Sequence, residues 1–222
     1  FKQPEQPDTR DYLRWLDTQN GMITSIWTNA RGSYRTESFA AYDGEVIVNR
    51  LSAPEGQLDV DVNITPPGRP FKHGNMVFKN PFVKSSHELT IEGGMMTLAW
   101  AYNPDFGHKG FVAAIRLLPE GGTMEKIEKG FSVKGATRLM VVSKIVKFES
   151  NFTFACKKDV LDELVAIQVD FDKLLKGNEK HIGERMDRSR IHLGKKEDEV
   201  LSGEELLRRT HSNKEIDPTL MD

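Results

Sequence analysis

The six histidines, His73, His87, His108, His181, His192 and His211, are the first residues to test for chemistry. None stands in an HxH or HExxH spacing, so the sequence spells out no zinc site. The lone cysteine, Cys156, rules out an internal disulfide and a cysteine cage for zinc. Asp59-Val60-Asp61-Val62-Asn63 begins like a calcium loop, but its sixth position is Ile64 and its twelfth is Pro70. Calcium loops need glycine and a bidentate glutamate there, so this one can neither turn nor close its coordination sphere. We expect no metal and no cofactor.

Other chemistries meet similar objections. Gly130-Phe131-Ser132-Val133-Lys134 starts like a nucleophile elbow but lacks its last glycine and any strand–turn–helix context. Gly93-Gly94 and Gly121-Gly122 sit between extended runs, which suits hairpin turns better than phosphate cradles. Glycoside hydrolysis needs two carboxylates across the bond, and most acids here lie beside Lys or Arg or on polar strand faces. Trp15, Trp27, Trp100 and Tyr102 are candidates for stacking on sugar rings. However, Met96, Leu98, Trp100 and Tyr102 fall on one face of a strand, which suits a core. The loop Asn103 to Gly110 is a better functional edge. Asn63-Ile64-Thr65 and Asn151-Phe152-Thr153 fit the glycosylation triplet, a number of matches near chance.

The elements that position these residues are mostly strands. Leu58, Val60, Val62 and Ile64 alternate with Asp59, Asp61 and Asn63, the period of a half-buried strand. Phe111, Ala113, Ile115 and Leu117 repeat it, with Arg116 opposite. Leu139 to Val146 is more continuously apolar and reads as covered on both sides. Asn29-Ala30-Arg31-Gly32, Asp43-Gly44, Pro54-Glu55-Gly56 and Pro66-Pro67-Gly68 mark further breaks. About ten strands at this short spacing, without βαβ rhythm, predict an antiparallel sandwich.

Near Cys156 the pattern changes. Leu161, Leu164, Val165 and Gln168 follow a helical period, and Asp170 is placed to cap a second helix bearing Phe171, Leu174, Leu175, Ile182 and Met186. A short strand from Ser189 to Leu193 and a charged loop from Lys195 to Glu199 follow. Ser202-Gly203-Glu204-Glu205 resembles a capping box, and Asp217-Pro218 a linker. We divide the chain into a β-sandwich at 1–156 and a helical extension with linker and one short strand at 157–222.

The chain has 222 residues, long enough for a substantial core. Its net charge of -2 argues against a nucleic-acid partner. It contains no apolar run of membrane-spanning length. It opens FKQPEQPDTR, without a signal-peptide pattern, and we expect it to be a segment of a longer protein.

The stretch from Tyr12 to Ala53 resembles the N-terminal domain of glycoside hydrolase family 95, the α-L-fucosidase group. Tyr12, Arg14, Leu16, Asp17 and Gly21 fit the family's first strand. Tyr34, Arg35, Glu37, Phe39, Ala40, Tyr42, Val46, Ile47, Val48, Arg50, Leu51, Ser52 and Ala53 fit its following hairpin. Gly135-Ala136, then Asp187, Arg188, Leu193 and Gly194, match later segments in order. Departures are Thr18 for Leu, Ala41 for Ser, and Asn178 where family members often carry His.

The resemblance implies an all-β antiparallel super-sandwich with a short helical C-terminal extension. It implies a parent enzyme that hydrolyses α-L-fucosides with inversion, through a separate (α/α)6 barrel. That barrel is the expected partner, with oligosaccharide as a candidate second one. No catalytic residue carries over onto this chain, and no carbohydrate-contact residue is assigned. An uncovered sheet edge is expected to favour self-association. Location is open; family analogy points to the periplasm or secretion. The alternatives are a stand-alone carbohydrate-binding sandwich and an interaction domain without sugar affinity.

Overall fold

The fold is that of a computed structural model, which describes residues 8–65, 71–73, 76–78, 85–188, 201, 203–213 and 216. The expected strand at Ser189–Leu193, the Lys195–Glu199 loop, the Ser202 cap, the Asp217-Pro218 linker and the Pro66-Pro67-Gly68 turn lie outside those residues.

Among the described residues thirteen strands precede three α-helices. The strands are β1 (Arg10–Asp17), β2 (Met22–Asn29), β3 (Gly32–Ala41), β4 (Val46–Ser52), β5 (Leu58–Asn63), β6 (Phe71–His73), β7 (Met76–Phe78), β8 (Ser86–Glu92), β9 (Met95–Ala101), β10 (Gly110–Glu120), β11 (Thr123–Ile127), β12 (Gly130–Ala136) and β13 (Arg138–Phe148). The helices are α1 (Cys156–Ala166), α2 (Phe171–Arg188) and α3 (Gly203–Asn213). Every strand pairing among the described residues is antiparallel. The fold is thus mostly β, sandwich-like, with open sheets and short helices. Among the described residues no helix is long and apolar enough to cross a membrane.

An eight-stranded sheet runs β1-β2-β3-β4-β13-β10-β9-β8, and a three-stranded sheet runs β11-β12-β5. The turns set these registers. Gly93 and Gly94, at φ 57° and 76°, make the tight β8–β9 hairpin, a backbone path that side chains disfavour. Gly130 lies where β12 crosses so close to β5 that any Cβ would strike the Val62 carbonyl.

Two cores result. Leu58, Val60, Val62, Phe131 and Val133 of the small sheet pack on Leu51, Leu98, Leu117, Leu139 and Val141 of the large one. On the opposite face Phe39, Val48, Ala99, Val112, Ala114 and Val142 pack against Val160, Leu164, Phe171 and Leu174 of the helices. The centre of the large sheet is therefore covered twice, and the molecule has three layers.

Particular expectations fare differently. The Leu58–Asn63 alternation holds, with Leu58, Val60 and Val62 buried. The acids between them are half-buried rather than fully solvated. Asp61 Oδ1 accepts the Ser132 hydroxyl at 2.7 Å, and Asp59 Oδ1 accepts the Gly135 amide at 2.9 Å. In β10 the even positions Val112 and Ala114 are fully buried beside α1, so the half-wet reading fails because a helix covers the second face. In β13 both faces are covered as expected through Val142, but Ile145 is 59% exposed. The Asp170 cap forms, with the Lys173 amide donating to Asp170 Oδ1 at 3.0 Å. Of the expected α1 stripe, Leu164 is fully buried and Leu161 partly, whereas Val165 is 47% exposed and Val160 takes its buried place.

Candidate functional site

The open half of the helix-side face of the large sheet holds a buried carboxylate, Glu37, between two arginines. A hairpin centred on Asp43-Gly44 sets Glu37 of β3 opposite Arg50 of β4. Glu37 Oε2 accepts from Arg50 Nε at 2.7 Å, and its Oε1 lies 2.9 Å from Arg35 Nη2. The Glu37 side chain is 4% exposed, whereas that of Arg35 is 44% exposed. Burial pushes the Glu37 carboxyl up, but the hydrogen bonds and charges of Arg50 and Arg35 outweigh it, leaving it below the ordinary carboxylate value. The Arg50 guanidinium lies 3.4 Å above the Phe171 ring, and that of Arg35 lies 5.9 Å from the Trp15 ring. The row therefore ties β1 to the start of α2.

Arg35 also walls a pocket of about 320 Å³ at the end of strands β1 to β4, with Asp11, Ile26, Thr28, Ser33 and Ser52. Asp11 lies in a β-bulge. Arg10 pairs with Thr28 and Leu13 with Ile26, so two residues of β1 stand against Trp27 alone. Asp11 has a left-handed φ of 53°, and its Oδ2 accepts the Thr28 hydroxyl at 2.8 Å.

The loop at Asn103–Gly110 forms one 3-10 turn, Pro104–Phe106, capped by Asn103, whose Oδ1 accepts the Asp105 amide at 2.9 Å. Tyr102, His108 and Lys109 border a second pocket of about 350 Å³ beside Phe152.

The aromatic candidates separate. Trp100 is buried between His87 and Phe111, with ring centroids at 5.1 and 6.4 Å. Tyr102 is half-buried beside Phe111, consistent with the core reading. Trp27 is half-buried and stacked on Tyr34 at 5.6 Å. Trp15 is the most open of these, at 37%. His181 of α2 is half-buried and stacked on Tyr42 at 3.9 Å. Among the described residues no three His, Cys, Asp or Glu side chains are grouped to hold a metal.

Sequence reasoning missed Asp11 and the Glu37–Arg50 pairing. The second was within reach, because the Asp43-Gly44 turn fixes the register that opposes the two charges. The first depends on a bulge, which leaves no period in the sequence.

A family model described as glycosyl hydrolase family 65, N-terminal domain, matches residues 1–153. Comparison with curated proteins finds no match. Among solved structures, a human-microbiome protein assigned as a kojibiose phosphorylase superposes with a TM-score of 0.57 at 13% identity, over 81% of this chain and 25% of that one. A bacterial glucoamylase solved with acarbose superposes at 0.43 and 10% identity, over 80% of this chain and 29% of that one. The chain thus spans between 25% and 29% of the length of these structures. The first likeness supports the fold; it says nothing of chemistry. The expectation of a glycoside-hydrolase N-terminal domain is met, though the matching model is that of family 65 rather than family 95. With residues 1–153 matched, the chain belongs to the glycosyl hydrolase family 65 N-terminal domain family.

Proposed function

We propose that this chain is the non-catalytic β-layer of a larger carbohydrate-active enzyme and that it buttresses an (α/α)6 barrel supplied by the rest of the polypeptide. The observation behind this reading is the family match over residues 1–153 in a chain whose superposition covers only 25% of the protein assigned as a kojibiose phosphorylase. Uncovered sheet surface supports it. Eight strands span roughly 34 Å and three span roughly 10 Å, at about 4.8 Å per strand. The small sheet therefore leaves Leu16, Ile47 and Ile145 on its side of the large sheet 57%, 42% and 59% exposed. Residues 1–156 are the sandwich in this reading, and 157–222 are the helical part that leads toward the barrel.

The finer reading is an inverting, α-L-fucosidase-like parent. It rests on the ordered residues from Tyr12 to Ala53 quoted above. An acid on the barrel protonates the leaving oxygen while a base-activated water attacks the opposite face of the sugar. The test is hydrolysis of an aryl α-L-fucoside by the parent polypeptide, with the first-formed anomer read by proton NMR. Release of β-L-fucose from the α-linked substrate supports the reading. Cleavage that depends on inorganic phosphate and yields a sugar phosphate overturns the fucosidase assignment. Fucose release by the 222-residue chain alone overturns the scaffold assignment.

A further inference from the structure

We infer that the pocket at the end of β1 to β4 is a binding site for a neutral pyranose, held between Asp11 and Arg35. The inference deepens the proposed function, since it rests on a sugar-active parent.

Both polar anchors are fixed before any ligand arrives. Arg35 is held by Glu37 at 2.9 Å and by the Trp15 ring at 5.9 Å. The ion pair uses Nη2 alone, so other guanidinium donors remain unpaired among the described residues. Asp11 is held through Oδ2 by the Thr28 hydroxyl, which leaves Oδ1 as an unpaired acceptor among the described residues. The side chains of Ile26, Arg35 and Ser52 stand in one cross-strand row, and Thr28 and Ser33 in the next. The pocket therefore offers a fixed acceptor, a fixed donor, two serine hydroxyls and an apolar floor at Ile26. Adjacent hydroxyls of a pyranose need this acceptor and donor together, and its C–H face needs the apolar floor.

Charge selects among sugars. Asp11 and Arg35 are the charged residues lining the pocket, one of each sign, so the lining itself favours neither a uronate nor a phosphate. The strained backbone agrees with a binding role. Asp11 is a non-glycine residue at φ 53° inside a bulge, and bulges re-aim side chains beside working sites. The volume, about 320 Å³, is within the range of small-ligand pockets.

The test is a titration of the ¹⁵N-labelled 222-residue chain, at a concentration where it sediments as a monomer, with methyl α-L-fucopyranoside, methyl β-D-galactopyranoside, sodium glucuronate and inorganic phosphate. We expect saturable shifts for a neutral pyranoside, confined to the amides of Ser33, Arg35 and Ser52 and to the Arg35 side chain. Asp11→Asn is the discriminating variant. Asparagine tolerates positive φ and still accepts the Thr28 hydroxyl, but it turns the free acceptor into a donor. Affinity should fall about tenfold, the loss of one charged hydrogen bond. A melting temperature equal to wild type excludes misfolding, and Asp105→Asn, on the far loop, should bind normally. The inference is overturned if no neutral pyranoside saturates these shifts, if Asp11→Asn binds like wild type, or if only glucuronate or phosphate binds. If the pocket fails while the parent enzyme cleaves its fucoside, only this site is lost. If the pocket binds and the parent is inert, the enzyme reading fails and the site stands.

Discussion

Asn178, in the middle of α2, accepts the Tyr42 backbone amide through Oδ1 at 2.7 Å. Its Nδ2 donates to the Ala40 carbonyl at 2.7 Å and to the Asn20 carbonyl at 3.3 Å. The residue is fully buried, so one amide satisfies backbone groups from two separate turns. The same helix turn brings His181 onto Tyr42 and Gly177 against Asp43, where a Cβ would meet the Asp43 carboxylate at 2.5 Å. Asn178 thus locks α2 to the β3–β4 hairpin, whose register sets the Glu37–Arg50 pair.

Removing that lock should be costly. Asn178→Ala leaves a buried amide and buried carbonyls without partners, and we expect a loss of about 3 kcal/mol in urea unfolding. Asn178→Asp is nearly isosteric and keeps the acceptor for Tyr42, but sets a carboxylate against the Ala40 and Asn20 carbonyls. The folded state should raise the pKa of that new acid. Its destabilisation is then greatest above the raised pKa and eases as pH falls through it. A cost for Asn178→Asp that does not ease toward acid pH would contradict this account.

The Glu37 row predicts the opposite slope. Its folded pKa is lowered, so its contribution to stability is complete above the ordinary carboxylate value. The contribution is lost as pH drops through the lowered value. Glu37→Gln should remove about 2–3 kcal/mol at neutral pH, because two arginines lose their shared charge. The variant and wild type should begin to converge in stability as pH falls below the ordinary carboxylate value and meet only below the lowered one. Parallel stability curves across that range would show that the pair contributes nothing.

The difference between what could be read in the sequence and what could not follows from the layers. The Leu58–Asn63 strand was legible because one face meets the core and the other does not, which leaves a clean period of two. Strand β10 was misread because α1 covers its second face and Val112 and Ala114 are small apolar residues that look like filler. The stripe of α1 was read correctly at Leu164 but not at Val165, which is as apolar as the buried Val160, and only the packed sheet chooses between them. Of the candidate site, the Glu37–Arg50 opposition is encoded by a turn. Asp11 reaches its pocket through a bulge, and long-range placement of that kind has no local signature.

That choice of stripe gives a direct test. Leu164 is fully buried against the large sheet, and Leu164→Ala should cost about 2–5 kcal/mol. Val165, half exposed on the same helix, should lose less than about 0.5 kcal/mol on replacement by alanine. Both are read by chemical denaturation. Cutting the chain after residue 156 should be worse than either, since Phe39, Val48, Val112 and Val142 lose their cover together. A truncated sandwich that melts cooperatively at the wild-type temperature would separate the helices from the fold.

Strand β1 supplies the last expectation. It is the edge of the large sheet, and Tyr12, Leu13 and Leu16 are 60%, 53% and 57% exposed. Among the described residues no strand pairs with its outer side, and such an edge with apolar side chains on both faces is a template for pairing with another chain. The bulge at Asp11 interrupts pairing only at one end, leaving Leu13 to Asp17 regular. We therefore expect the isolated chain to self-associate with rising concentration in sedimentation velocity. Leu13→Lys and Leu16→Lys place a charge on each face of the edge and should restore the monomer without lowering the melting temperature, since both sites are exposed. If the wild-type chain sediments as a monomer at all concentrations, β1 is shielded by its own twist and the edge is harmless. If the lysine variants associate as strongly as wild type, the contact lies elsewhere, and the uncovered Ile47 and Ile145 on the sheet face are the next surface to charge.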